Sequence, residues 1–143
     1  MLKQQNGSGS NGRNRLLGAL SPADFSLLAP NLKNVPLVLG DILQEAGDPI
    51  KQVYFPQDGM ISLLAQMQSG TSVETATIGH EGAAGAGSGL GSRTSPHQSV
   101  VQIEGTATRI GADLFQKTVA ESTSLRGKSR RSMLRVAWLA PPA

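Results

Sequence analysis

The chain has 143 residues, 38% hydrophobic but only 3% aromatic, which suits one ordinary domain with a core of Leu, Ile, Val and Ala. It holds no cysteine, which excludes disulfides, thiolate metal sites and a cysteine nucleophile; no apolar run reaches the roughly 18 residues of a membrane helix, and Met1 to Asn6 lacks the apolar stretch of a secretory signal, so no membrane association and a cytoplasmic location are expected. The net charge of +3 is uneven: residues 21–125 carry five Lys/Arg against all ten Asp/Glu, net −5, while residues 1–20 carry +3 and residues 126–143 carry +5, so the high isoelectric point is no sign of a basic binding face on the folded body.

Residues 1–13 are polar and contain Asn6-Gly7-Ser8-Gly9-Ser10-Asn11-Gly12; they cannot bury enough apolar surface to order themselves and are expected to be disordered. Arg15 to Leu20 reads as one or two helical turns. Ser21-Pro22-Ala23-Asp24 is a strong helix start, with a capping hydroxyl, a proline suited to the first helical position and an acid near the positive end of the helix dipole. That helix carries Phe25, Leu27 and Leu28, with Leu32 beyond the break forced by Pro30. Short strands follow: Pro36 to Leu39, Ile42 to Glu45, and Val53 to Phe55, the last stopped by Pro56. Met60 to Met67 and Thr71 to Ile78 flank Gln68-Ser69-Gly70, a hairpin with glycine at the left-handed position and, from the alternation of Val73 and Glu74, one wet face. Glycines 40, 47, 59, 70 and 79 punctuate this region every 7 to 12 residues, the rhythm of an all-β roll, barrel or sandwich.

Residues 79–97 suit neither strand nor helix. Beyond them, Ser99 to Ile103 and Thr106 to Ile110 read as a strand pair around Glu104-Gly105, and Gly111 to Phe115 opens a helix through about Ala120. Residues 126–143 form a basic tail, partly helical or disordered; Met133 to Ala140 has two turns' worth of helical pattern before Pro141-Pro142.

Several chemistries can be weighed on residue types alone. His80, Glu81 and His97 are metal-ligand types, but only two histidines exist, 17 apart and without His-x-His spacing, so they read as polar loop residues. Ser88, Ser92, Ser95 and Ser99 offer hydroxyls without a Gly-x-Ser-x-Gly turn, and no catalytic residue or cofactor is assigned. Glycines 79, 82, 85, 87, 89 and 91 can form a nest of backbone N–H groups for a small anion or a loop without ligand. Arg126 to Arg135 lacks aromatic interleaving and reads as a solvated end rather than a nucleic-acid surface.

Gly40-Asp41-Ile42-Leu43, Glu45-Ala46-Gly47-Asp48, Val53-Tyr54-Phe55-Pro56, Gly59, and Ile78-Gly79 leading into the glycine-rich loop resemble, in order and spacing, the cyclic-nucleotide-binding β-roll of Crp/Fnr-type transcription regulators. Arg15-Leu16-Leu17, Ser21 to Phe25 and Arg109 to Phe115 fit the same pattern, so the resemblance covers about residues 14–125. It implies a mainly β fold, a double-stranded β-helix or jelly-roll-like β-roll with flanking short α-helices, acting as a non-catalytic sensor domain that pairs with a second copy through a following helix. The segment after Arg126 does not look like that helix; Met133, Leu134, Ala137 and Trp138 are expected at a dimer contact because an exposed Trp-Leu patch is costly in a monomer.

Two departures sharpen the expectation. Members that bind cyclic nucleotide carry a Gly-Glu pair and a following Arg for the ribose and phosphate. Gly85-Ala86 stands where Gly-Glu would be, Glu81 comes too early, and Ser95 to Ser99, with His97 and Gln98, replaces the Arg, leaving Arg93 nearby. Gly79, Glu81, Gly82, Gly85, Ala86, Arg93, His97, Gln98 and Ser99 thus form a degenerate cassette, expected to take some small anion but not cyclic AMP; loss of a buried Arg–phosphate contact costs roughly 2 kcal/mol or more. The chain also stops short of the roughly 60 residues a helix-turn-helix domain needs, which suggests truncation and no sequence-specific DNA binding by this chain alone. The alternatives are a vestigial dimerisation or protein-interaction module and a cupin-like metal enzyme.

Overall fold

The structure is a computed structural model that describes residues 13–86, 88 and 93–125. Most of the polar head, part of the glycine-rich loop, and the basic tail with Met133, Leu134, Ala137 and Trp138 lie outside the described residues. Among the described residues no helix is long and apolar enough to cross a membrane.

Five strands form one antiparallel sheet: β1 (Lys33–Leu37), β2 (Ile42–Gln44), β3 (Gln52–Gln66), β4 (Ser72–Ile78) and β5 (Gln98–Gly111), in the order β1-β5-β3-β4, with β2 pairing the other end of β5. The roll is built on β3 and β5, which pair from Gln52 opposite Gly111 to Leu64 opposite Gln98. The expected interruptions at Pro56 and at Glu104-Gly105 do not end these strands; each pair of predicted short strands is one long, bent strand. Three register shifts between Pro56 and Ile61 put the bend there. At the bend, Gly59 has φ +86°, and a Cβ on it would lie 2.4 Å from the Ile103 carbonyl oxygen. A Cβ on Gly105 would lie 2.3 Å from the Asp58 carbonyl oxygen. The two glycines therefore let the backbones approach while both strands turn. Pro56 is tolerated because Tyr54, two residues before it, sends its N–H and C=O to Ala84 rather than to β5; by the pleat, the Pro56 nitrogen also faces away from the β5 ladder.

The remaining turns follow local chemistry. Gly70, at φ +90°, closes the β3–β4 hairpin as its sequence suggests. Helix α2 (Pro22–Leu28) starts with Ser21 Oγ accepting from the Asp24 N–H and runs into a 3-10 turn at Ala29–Asn31, where Pro30 ends the α-helical pattern. Helix α3 (Ala112–Ala120) follows β5 without a break. The short helix α1 (Arg15–Gly18) is capped by Asn14, whose side-chain oxygen accepts from the Leu16 and Leu17 N–H groups.

Strand alternation sorts the apolar side chains into two cores. On one face Val53, Phe55 and Ile110 pack against Leu17, Leu28 and Val119 from the helices. Phe55 and Phe115 meet edge to face with ring centres 6.0 Å apart. On the other face Leu37, Ile61, Leu63, Ile78, Val101 and Ala107 fill the inside of the roll.

Candidate functional site

The glycine-rich segment begins with a turn that its own acid closes. Glu81 Oε2 accepts from the Gly79 N–H at 3.1 Å, and the Gly82 N–H donates to the Gly79 carbonyl at 3.2 Å. The turn is tied to the start of α1: Arg15 N–H donates to the His80 carbonyl at 2.6 Å, and Asn14 Nδ2 donates to the Gly82 carbonyl at 2.9 Å and the Pro56 carbonyl at 2.8 Å. Asn14, 1% exposed, thus satisfies both ends of its amide while fastening three segments.

After the turn the chain lies against β3. Ala84 and Tyr54 exchange two backbone hydrogen bonds, 2.8 and 2.9 Å, closing the roll on that side. Gly85 has φ +86°, and a Cβ on it would sit 2.7 Å from the Gln52 carbonyl oxygen. No side chain fits there without moving β3 or the segment. Ala83 and Ala86 turn into the helix-side core. Ser88 is buried, with a hydroxyl that finds no partner among the described residues.

The facing wall is residues 93–99. Ile50 N–H donates to the Arg93 carbonyl at 2.8 Å, and Gly47 N–H to the Ser95 carbonyl at 2.7 Å, so this segment is laid along the β2–β3 connection. Gln44 Nε2 holds that connection in shape by donating to the Glu45 and Asp48 carbonyls, and Gln98 Nε2 donates to Glu45 Oε1 at 2.8 Å. Ser95 Oγ donates to the His97 carbonyl and accepts from the His97 N–H. Burial lowers the His97 pKa from its ordinary value of 6.5, because the charged imidazolium is less well solvated there.

Between the walls is a small recess. Gln52 and Tyr54 form its floor, Ala84 and Gly85 one wall, and Ser95 and Ser99 the other; Leu43, Gln44 and Ile50 close the end. The cavity is about 10 Å³, close to the space one water needs. A larger ligand therefore enters only if the 84–85 or 95–99 wall moves.

Of the residues singled out from sequence, the structure brings Gly85 and Ser99 to this recess. Gly79, Glu81 and Gly82 form the separate turn at α1, and Ala86 belongs to the core. Arg93 is exposed and contributes its carbonyl to the Ile50 bond. His97 and Gln98 engage Ser95 and Glu45 rather than the recess. Gln44, Gln52 and Tyr54 do not stand out as ligand contacts in the sequence, and Ser95 does so only as one hydroxyl of the stretch that replaces the Arg. Their signal is alternation: Gln52 and Tyr54 bracket the buried Val53, which puts them together on the inner face. Among the described residues no three His, Cys, Asp or Glu stand together as metal ligands.

No protein-family model and no curated protein matches the chain. Solved structures do. The N-terminal domain of a transcriptional regulator from Streptomyces coelicolor A3(2) superposes with a TM-score of 0.65 at 22% identity, over 86% of this chain and 88% of that one. The sensor domain of the transcriptional regulator DNR from Pseudomonas aeruginosa gives 0.65 at 15% identity, over 85% of each chain. A regulatory subunit of a cAMP-independent protein kinase A from Trypanosoma brucei, an E311A, T318R, V319A mutant bound to cAMP in the A site, gives 0.68 at 14% identity. The match covers 82% of this chain but only 43% of that subunit. The chain therefore has the mainly β fold of cyclic-nucleotide-binding domains, the fold it shares with the sensor domains of Crp/Fnr-type transcription regulators.

Proposed function

We propose that this chain is a non-catalytic ligand-sensing domain of the kind found in Crp/Fnr-type transcription regulators, responding to a small anion other than cyclic AMP. The observation that carries the reading is the position of the glycine-rich segment. Its Ala84 is strapped to Tyr54 beside the recess, while its Ala83 and Ala86 pack in the same core as Phe115, Val119 and Leu125. A ligand that shifts this wall must therefore repack α3 and the residues up to Leu125, because close-packed cores transmit displacement rather than absorb it. Cyclic AMP is disfavoured because the wall beside the ligand presents Ala84 and Gly85, neither with a charge, and Glu81 is engaged at Gly79.

The test is calorimetry on the full chain with cyclic AMP and with small anions, inorganic phosphate and succinate among them. At least one small anion is expected to bind with unit stoichiometry, and cyclic AMP is not. A saturable cyclic AMP isotherm would overturn the exclusion, and silence from every compound would overturn the sensing role.

A further inference from the structure

We infer that Arg109 is the residue that selects an anion for the recess, reaching it from the sheet rather than from the glycine-rich loop; the inference rests on the recess being the ligand site. Register fixes where Arg109 points. It stands directly opposite Tyr54 on β3 and opposite Lys33 on β1, and directly paired residues share a face. Three strands agree on which face that is. Tyr54 lines the recess and packs on the inner core; Ala107, two residues before Arg109, is in that core; Val35 and Leu37, continuing the alternation from Lys33, pack there too. Lys33, Arg109, Tyr54 and Ala84 therefore form one row across the inner side of the roll mouth. Arg109 and Ala84 are two strand spacings apart, about 10 Å, with the Tyr54 side chain between them, a gap that an extended arginine largely spans.

Arg109 is half-buried, yet no carboxylate or acceptor among the described residues engages its guanidinium; the one ion pair there joins Arg13 to Asp58. A guanidinium partly withdrawn from water and left without an anion loses hydration and gains nothing back. Lys33 beside it makes matters worse, since two like charges directly opposite on adjacent strands repel. A bound oxyanion removes both penalties. The planar fork of Arg109 suits a phosphate or carboxylate group through two parallel hydrogen bonds, and Lys33 adds a second positive charge. Gln52, Ser95 and Ser99 would then face the rest of a small organic acid or phosphate ester.

The full chain, Arg109→Gln, Arg109→Lys and the recess-filling Ser99→Leu are titrated with inorganic phosphate, succinate and the uncharged nucleoside adenosine. The inference expects the wild-type chain to bind phosphate or succinate but not adenosine. Arg109→Gln should weaken that binding about tenfold or more, and Arg109→Lys, which keeps the charge and loses the fork, by an intermediate factor. Ser99→Leu should abolish it. Anion binding that Arg109→Gln leaves within twofold, or binding of adenosine alone, overturns the role of Arg109 and leaves the recess as a ligand site. Binding of none of the three overturns both. If Arg109→Gln does not fold, Arg109→Lys decides, since an unchanged affinity there rules out the bidentate contact.

Discussion

At His97 a local burial becomes a pH dependence. Burial lowers the imidazole pKa in the folded chain, whereas in the unfolded chain it returns to its ordinary 6.5. Above pH 6.5 both states are neutral at this residue and its stability contribution is fully present. As pH falls below 6.5 the unfolded state takes up the proton first, so stability declines until the pH passes the lower, folded pKa. The melting temperature is therefore expected to fall between pH 7.5 and 5.5, above the range where most carboxylates titrate, and His97→Gln should flatten that part of the curve. A slope unchanged by the substitution would place the titrating group elsewhere. The same residue shows how differently position and role can be read from sequence. A histidine near a degenerate phosphate loop suggests a ligand contact; the tertiary fold adds that its backbone N–H closes a turn on Ser95 and that its ring is partly buried.

Among the elements, α1 has the most to lose from one substitution. Asn14 caps four helical residues and gives both amide hydrogens to buried carbonyls, one on β3 and one in the 79–82 turn. Asn14→Ala removes the cap, typically worth about 1 kcal/mol, and orphans two buried acceptors, so a loss of about 2–4 kcal/mol is expected in urea denaturation. Asn14→Asp keeps the capping oxygen but turns a second oxygen toward Pro56 and Gly82 carbonyls. It should therefore be no better than alanine, whereas a role in capping alone would leave it near wild type. This residue was illegible in the sequence because its partners are 42 and 68 positions away. Elements set by neighbours were legible: Ser21-Pro22 announces α2, and Gly70 the β3–β4 hairpin. The long strands were not. Pro56 and Gly105 each look like an end, and only the facing of Gly59 and Gly105 across the sheet converts two stops into one shared bend. The recess was half legible for the same reason. Gly85 stands out by composition, whereas Tyr54 and Arg109 become neighbours only through the pairing of β3 with β5.

For the molecule as a whole, the question is how much chain the fold needs. The helix-side core is closed at its far end by Leu125, 3% exposed, whose N–H donates to Ser122 Oγ, which in turn donates to Asp24 Oδ1 at 3.1 Å. These contacts join the segment after α3 to α2, so the helix-side core depends on Ser122 and Leu125 as well as on α3. A chain of residues 13–125 keeps Arg13 on Asp58, the Asn14 anchor and the Leu125 seal. A chain of residues 13–121 loses Leu125 from the core and takes the Ser122 hydroxyl from Asp24. Removing a buried leucine side chain alone costs about 2–5 kcal/mol, so its midpoint should fall clearly below that of 13–125. Equal midpoints for the two shorter chains would mean that Leu125 seals nothing. A 13–125 chain much weaker than the full chain would assign part of the fold to the terminal residues. Sedimentation of the same chains also reads association. If 13–125 pairs with itself as strongly as the full chain, Met133, Leu134, Ala137 and Trp138 are not the contact, and the pairing surface lies on the roll or on α3.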